Sequence, residues 1–207
     1  MFVAVEGIEG SGKSTLLAGL AARLTSGGSN VLVTREPGGT PVGEAVRSIF
    51  LDRSIRIDPL TEALLISAAR AAHVTGSVRP ALAAGRVVLS DRYVDSTLAY
   101  QGYGRGLDLD LLRDLCGVAT GGLTADLTLL LDVPVEISRE RIALRDRIAD
   151  RLENEEDAFH ERVRNGYLEI ARAPAHRVLD GSLASEEILT QALSALRELS
   201  GVPTERA

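Results

Sequence analysis

Short apolar runs recur along the chain at FVAVE (2–6), NVLVTR (30–35), RVVLSD (86–91), DLTLLLDV (126–133) and HRVLDG (176–181). Their β-branched content and unbroken hydrophobicity predict strands covered on both faces, not strands with one wet side. Between them the apolar positions fall at helical spacing over 13–26, 42–51, 60–84, 109–119, 135–144, 155–173 and 185–199. Strand and helix alternate, which predicts an α/β fold: five strands in a parallel sheet flanked by helices. GGSN (27–30), EPGGT (36–40) and GYGRG (102–106) are expected to be turn-rich loops, and GVPTERA (201–207) a loose tail. No internal repeat or low-complexity linker breaks the pattern, so residues 1–207 are expected to form one domain.

Composition removes several classes. With 207 residues, 45% of them hydrophobic, the chain buries a core of ordinary size. Against 29 acidic residues stand 23 lysines and arginines, a net charge of −6 that argues against a surface tracking nucleic acid. Any anion site must then be local. The one cysteine, Cys116 in LLRDLCGVA, forms no internal disulfide and is expected as a small core residue, which fits a reducing, cytoplasmic setting. No basic leader and no run of 18 apolar residues is present, so neither export nor a membrane span is expected.

Lys13 is the only lysine of the chain. It stands in GIEGSGKST, which fits G-x-x-x-x-G-K-[ST] after the first predicted strand and at the start of the first predicted helix, the context this phosphate-binding loop requires. Glycines let the backbone approach phosphate oxygens, and the free N–H groups and dipole of the helix start supply donors and positive potential. The stretch Gly7, Ile8, Glu9, Gly10, Ser11, Gly12, Lys13, Ser14 and Thr15 is therefore the candidate ATP site. Lys13 is its catalytic cation, and Ser14 is a candidate Mg²⁺ ligand. A compact ammonium on a flexible stem reaches into such a loop where a planar guanidinium does not.

A phosphate loop alone does not separate kinases from switch GTPases or motors. A guanine-reading N-K-x-D motif is excluded, because the single lysine is already used. VVLSDRY (87–93) delivers Asp91 and Arg92 to the carboxyl edge of the sheet, where open α/β sheets bind ligands. Asp91 can there hold hydrated Mg²⁺ and Arg92 can clamp a second phosphate, the alternative being a plain ion pair at a strand end.

Taken together, GIEGSGKST, TREPGGT (34–40), DRYVDSTLAYQGYGRG (91–106) and DRLE (150–153) resemble, in order and separation, the bacterial type of the thymidylate kinase family of P-loop nucleoside monophosphate kinases. The resemblance implies transfer of phosphate from ATP to dTMP with Mg²⁺, a core of five parallel strands, a short arginine-rich lid and a homodimer. It assigns Arg92 to the acceptor phosphate and the transition state, and Glu9 to the acceptor nucleotide and its sugar hydroxyl. It places Glu36 and Pro37, with a cis bond before Pro37, on the acceptor pocket, and directs Arg70 at thymine and the acceptor phosphate. Thr97 would bond the thymine edge and Tyr100 would sit where a 2′-hydroxyl would be, with Ser96 and Gln101 nearby. One departure stands out: where many relatives stack an aromatic on the base, four positions before the arginine, this chain has Ile66.

The segment 139–153, RERIALRDRIADRLE, holds five arginines against four acids, so a salt-bridged surface helix is its ordinary reading. Like charges at Arg141/Arg145 and Arg147/Arg151 repel at i,i+4 unless an anion joins them. The resemblance makes this segment the lid that supplies a catalytic arginine, with Arg151 expected first, then Arg145 and Arg147. His73, His160 and His176 lack metal-ligand spacing and are given no catalytic role. Asp132 is expected to cap the helix that follows Pro134, the alternative being a contact with the site edge.

Overall fold

The computed structural model describes residues 1–144 and 151–199. Five parallel strands, β1 (Phe2–Glu6), β2 (Val31–Arg35), β3 (Val87–Asp91), β4 (Leu127–Asp132) and β5 (His176–Asp180), form one sheet in the order β2-β3-β1-β4-β5. Each of the predicted strands is present. Alternate residues of β1 feed opposite sides of the sheet: Val3 and Val5 pack with Leu16, Leu20, Leu189 and Leu196, whereas Phe2 and Ala4 pack with Val74, Val78 and Tyr93. Each such fully buried leucine contributes about 1.5–3 kcal/mol. The expectation of double cover holds for the central strands but not for both edges, where Val33 of β2 and Val178 of β5 stay about half exposed.

Nine helices are described: α1 (Lys13–Ser26), α2 (Pro41–Leu51), α3 (Pro59–His73), α4 (Arg79–Ala83), α5 (Val94–Thr97), α6 (Leu109–Thr120), α7 (Val135–Ala143), α8 (Asp157–Ile170) and α9 (Ser185–Leu199). The single helix expected over 60–84 is divided by a π-helical turn at Val74–Val78. Pro80 explains the break, because a proline ring clashes with the carbonyl four residues back, here that of Gly76, and a widened turn relieves the clash. A second correction concerns GYGRG. Residues Leu98–Gly104 form a π-helical turn continuing α5, packed closely on α8. Gly104 is there for close approach, since a Cβ would lie 2.7 Å from the Phe159 ring.

The strand order creates the site. β1 lies between β3 and β4, with Val5 opposite Asp91, so the loop leaving β1 and the Asp91-Arg92 pair leaving β3 emerge side by side.

Candidate functional site

A cleft of about 550 Å³ opens over these strand ends. One end is the loop 7–13. Gly7 has φ 140° and a Cβ there would meet the Leu131 carbonyl at 2.5 Å, so only glycine closes this turn. Helices α2, α3 and α6 start with side-chain caps from Thr40, Asp58 and Asp108; α1, like α7 and α8, has none, and it alone of these three follows the glycine-rich loop. Its first N–H groups are left for a ligand. Ser11 Oγ is buried without a partner among the described residues, a second donor in the loop.

Lys13 is buried and its ammonium donates to the Gly7 and Ile8 carbonyls at 2.9 and 2.8 Å. Burial, with the nearby Arg92 charge, pulls it down to about 8. Ser14 and Thr15 are exposed along the same wall. Asp91 lines the cleft too, and its Oδ1 is buried and has no partner among the described residues. A hydroxyl and an unsatisfied carboxylate oxygen are the hard oxygen donors Mg²⁺ prefers, so the residues present fit that ion.

Arg92 joins the two ends. Its φ of 73° is, among the described residues, the one left-handed value outside glycine, a conformation costing about 1–3 kcal/mol. The guanidinium donates to Glu9 Oε1 at 2.7 Å, to Ser96 Oγ at 3.1 Å, and to the hydroxyls of Tyr167 and Tyr100 at 2.9 and 3.2 Å. Tyr100 in turn donates to Glu9 Oε2 at 2.6 Å. Burial by itself would raise the Glu9 carboxyl, but the Arg92 and Lys13 charges outweigh it and hold Glu9 below its ordinary range. Behind this layer Glu6 accepts from Tyr93 N–H and Ser96 at 2.7 and 2.6 Å, and burial beside Asp95 pushes it up to about 7.

The acceptor end is knitted by long-range pairs. The Glu36–Pro37 bond is cis, as expected. Glu36 is buried and receives Arg70 Nε at 2.7 Å on one oxygen and His73 Nδ1 at 2.9 Å on the other, with Thr34 on the far side of that imidazole. Arg70, 1% exposed, also donates to Thr97 Oγ1, Cys116 Sγ and the Tyr93 carbonyl. Most of its five donors are therefore taken by the protein, leaving little for a ligand. The expected acceptor residues Glu36, Pro37, Arg70, Arg92, Ser96, Thr97, Tyr100 and Gln101 all line the one cleft, as does Glu9.

The sequence reading missed Arg35, Arg47 and Phe50, which also line it, and it ranked Arg151, Arg145 and Arg147 ahead of Arg141, which lines it too. Phe50 lines the cleft together with Ile66, and Phe50 and Tyr100 are its aromatic lining residues. Arg141 donates to the Gly181 and Gly10 carbonyls at 2.9 and 3.4 Å, bringing the start of the arginine-rich segment to the phosphate loop. Ser138 holds α7 there by donating to the Glu9 carbonyl at 2.6 Å. Arg151 sits elsewhere: it reaches Glu62 Oε1 at 2.5 Å and the Phe50 carbonyl at 3.1 Å, with its guanidinium over the Phe50 ring. Arg145 and Arg147 lie outside the described residues. Asp132 caps nothing; it receives a bidentate ion pair from Arg164 at 2.7 and 3.0 Å, and α7 starts without a side-chain cap. Pro134 already occupies the cap position.

Comparison with known proteins decides the family. The family model described as thymidylate kinase matches residues 5–192. The chain belongs to the thymidylate kinase family. A thymidylate kinase of Deinococcus radiodurans is 50% identical over 200 residues, 96% of this chain and 97% of that protein. One from Thermomicrobium roseum is 53% identical over 189 residues, 90% of each chain. The crystal structure of thymidylate kinase from Ehrlichia chaffeensis superposes with a TM-score of 0.76 at 32% identity, covering 95% of this chain and 98% of that one. The fold is thus that of a P-loop nucleoside monophosphate kinase. Among the described residues no helix is long and apolar enough to cross a membrane.

Proposed function

We propose that this thymidylate kinase family member transfers the terminal phosphoryl group of ATP to the phosphate of dTMP, giving ADP and dTDP, in the reducing cytoplasm. One observation carries the reading: a single cleft holds an amide-and-lysine phosphate site at one end and the Arg92 guanidinium, fixed by Glu9 and Tyr100, at the other. Such a kinase has to bring two phosphates into line and neutralise the charge that develops between them. Lys13 serves the donor phosphates, and Arg92 exchanges part of its hydrogen bonding for the acceptor phosphate. Ser14 and Asp91 would hold Mg²⁺, which when bound shields phosphate charge. Arg141 is the lid-segment guanidinium placed at the loop, and Arg151 positions the acceptor wall. Phe50 and Ile66 form the apolar surface under the base. Tyr100, committed to Glu9, crowds a 2′-hydroxyl.

A homodimer accompanies this reading. Helices α2, α3 and α6 are neighbours, and Ile49, Leu60, Leu64, Leu111 and Val118 stand exposed on them. Sedimentation velocity should give twice the chain mass, reduced to one by Leu64→Glu. For the reaction, ADP release across dTMP, dUMP, dCMP, dGMP and UMP is the test, with dTMP expected to give the highest kcat/KM. A clear preference for any other acceptor ends the assignment. ATP binding with no transfer to any acceptor points instead to a nucleotide-sensing module.

A further inference from the structure

Glu62 has no part in the scheme above, yet it is completely buried, and nothing about TEALL (61–65) marks it. Among the described residues its carboxylate gathers three side chains from distant segments. Oε1 accepts from Arg151 at 2.5 Å and from Arg105 at 3.2 Å, and Oε2 accepts from Gln101 Nε2 at 3.1 Å. Two guanidiniums compensate its charge, which offsets the desolvation cost of burying the carboxylate.

Chemistry then fixes Gln101. An ion-paired carboxylate offers only lone pairs, so the Gln101 amide must turn its NH₂ toward Glu62. The opposite end, Oε1, is buried at the cleft wall with no partner among the described residues. An unpaired buried acceptor costs free energy until a donor arrives, so this oxygen selects for a ligand N–H. The imide N–H of thymine or uracil is such a donor. Cytosine carries a lone pair at the same ring position, which the fixed oxygen repels.

We propose that Glu62 is a specificity-determining positioning residue: it locks Gln101 with its acceptor end toward the base, so that imide bases are taken and cytosine is refused. This deepens the acceptor assignment and rests on it. In Glu62→Gln the lock is removed, because an amide in place of the carboxylate either accepts from Gln101 or donates to it, and Gln101 is then free to flip.

The test compares kcat/KM for dTMP and dCMP, by ADP release, in the wild type, Glu62→Gln, Glu62→Asp and Gln101→Met. In Glu62→Gln the dTMP:dCMP ratio should fall about tenfold or more, mainly through KM, while ATP affinity is kept. Glu62→Asp, which still offers only lone pairs, should restore most of the ratio. Gln101→Met, close in volume, should lower it as Glu62→Gln does, and it answers the question even if Glu62→Gln does not fold. A ratio unchanged from wild type in folded Glu62→Gln or in Gln101→Met overturns the proposal alone. A wild type that uses dCMP as readily as dTMP overturns the acceptor assignment, and this inference with it.

Discussion

At the donor end of the cleft most polar groups come from one unbroken stretch, 7–15, while at the acceptor end they come from the residues just after β2 and β3, from α3, from α5 and from the turn after it, with Glu9 of the loop joining them. Among the described residues the donor end is left partly open: α1 is uncapped, Ser11 Oγ is without a partner, and the lysine rests only on its own loop's carbonyls. The acceptor end, Gln101 Oε1 apart, is satisfied in advance, with Glu36, Arg70, His73 and Thr97 bonded to one another, and Glu9, Arg92 and Tyr100 likewise. Backbone amides keep their direction because the chain itself holds them, so they can wait for phosphate unpaired. Charged side chains at the acceptor wall need partners to stay in place without water. The donor end should therefore govern rate with little effect on stability, and the acceptor wall should govern both.

The largest expected effect tests the donor end. Lys13→Ala should lower kcat at saturating nucleotides by about 10²–10³-fold while moving the melting temperature little. Lys13→Arg should fall nearly as far, since the wider guanidinium does not fit a loop closed around an ammonium. Full turnover in Lys13→Arg would show that the lone lysine has no special task.

Arg70→Met tests the acceptor wall. It leaves the buried Glu36 carboxylate with His73 alone, and should cost about 3 kcal/mol of folding stability in denaturant titration. If Lys13→Ala destabilises as much as Arg70→Met, the contrast between the two ends is wrong.

The smallest effect is pH dependence. Burial, then Arg92, holds Lys13 near 8, well under its ordinary value, and the donor site needs the protonated form. As pH rises through 8, kcat/KM for ATP should fall, approaching tenfold per unit, and the inflection should be missing in Lys13→Arg. Stability moves the other way. Between about 8 and the ordinary lysine value the unfolded chain binds the extra proton, so this group makes folding more favourable as pH rises. A parallel loss of both would assign the inflection to unfolding.

The same division explains what can be read from residue order. The strands, the parallel alternation and the phosphate loop are local patterns, and each lies where the spacing puts it. Errors arise where a remote partner decides. Asp132 has the setting of a helix cap, but Arg164 lies 32 residues on and claims both its oxygens. GYGRG has turn composition, yet Gly104 is small because Phe159 packs on it. Arg151 reads as a phosphate ligand and is held by Glu62, itself indistinguishable in sequence from any exposed helix acid. Arg47 and Phe50 give no signal beyond an ordinary amphipathic helix.

Sequence by itself determined the chemistry of the donor site, because glycines, a lysine and a serine at fixed spacing dictate the backbone path and the groups along it. Only the tertiary structure decided how the acceptor wall is wired: which carboxylate holds Arg92, which way Gln101 faces, and where the described arginines of segment 139–153 rest. Those choices depend on side chains meeting across as many as 161 residues, as Tyr167 and Glu6 do. Desolvation decides them at the point of contact, and no spacing along the chain encodes it.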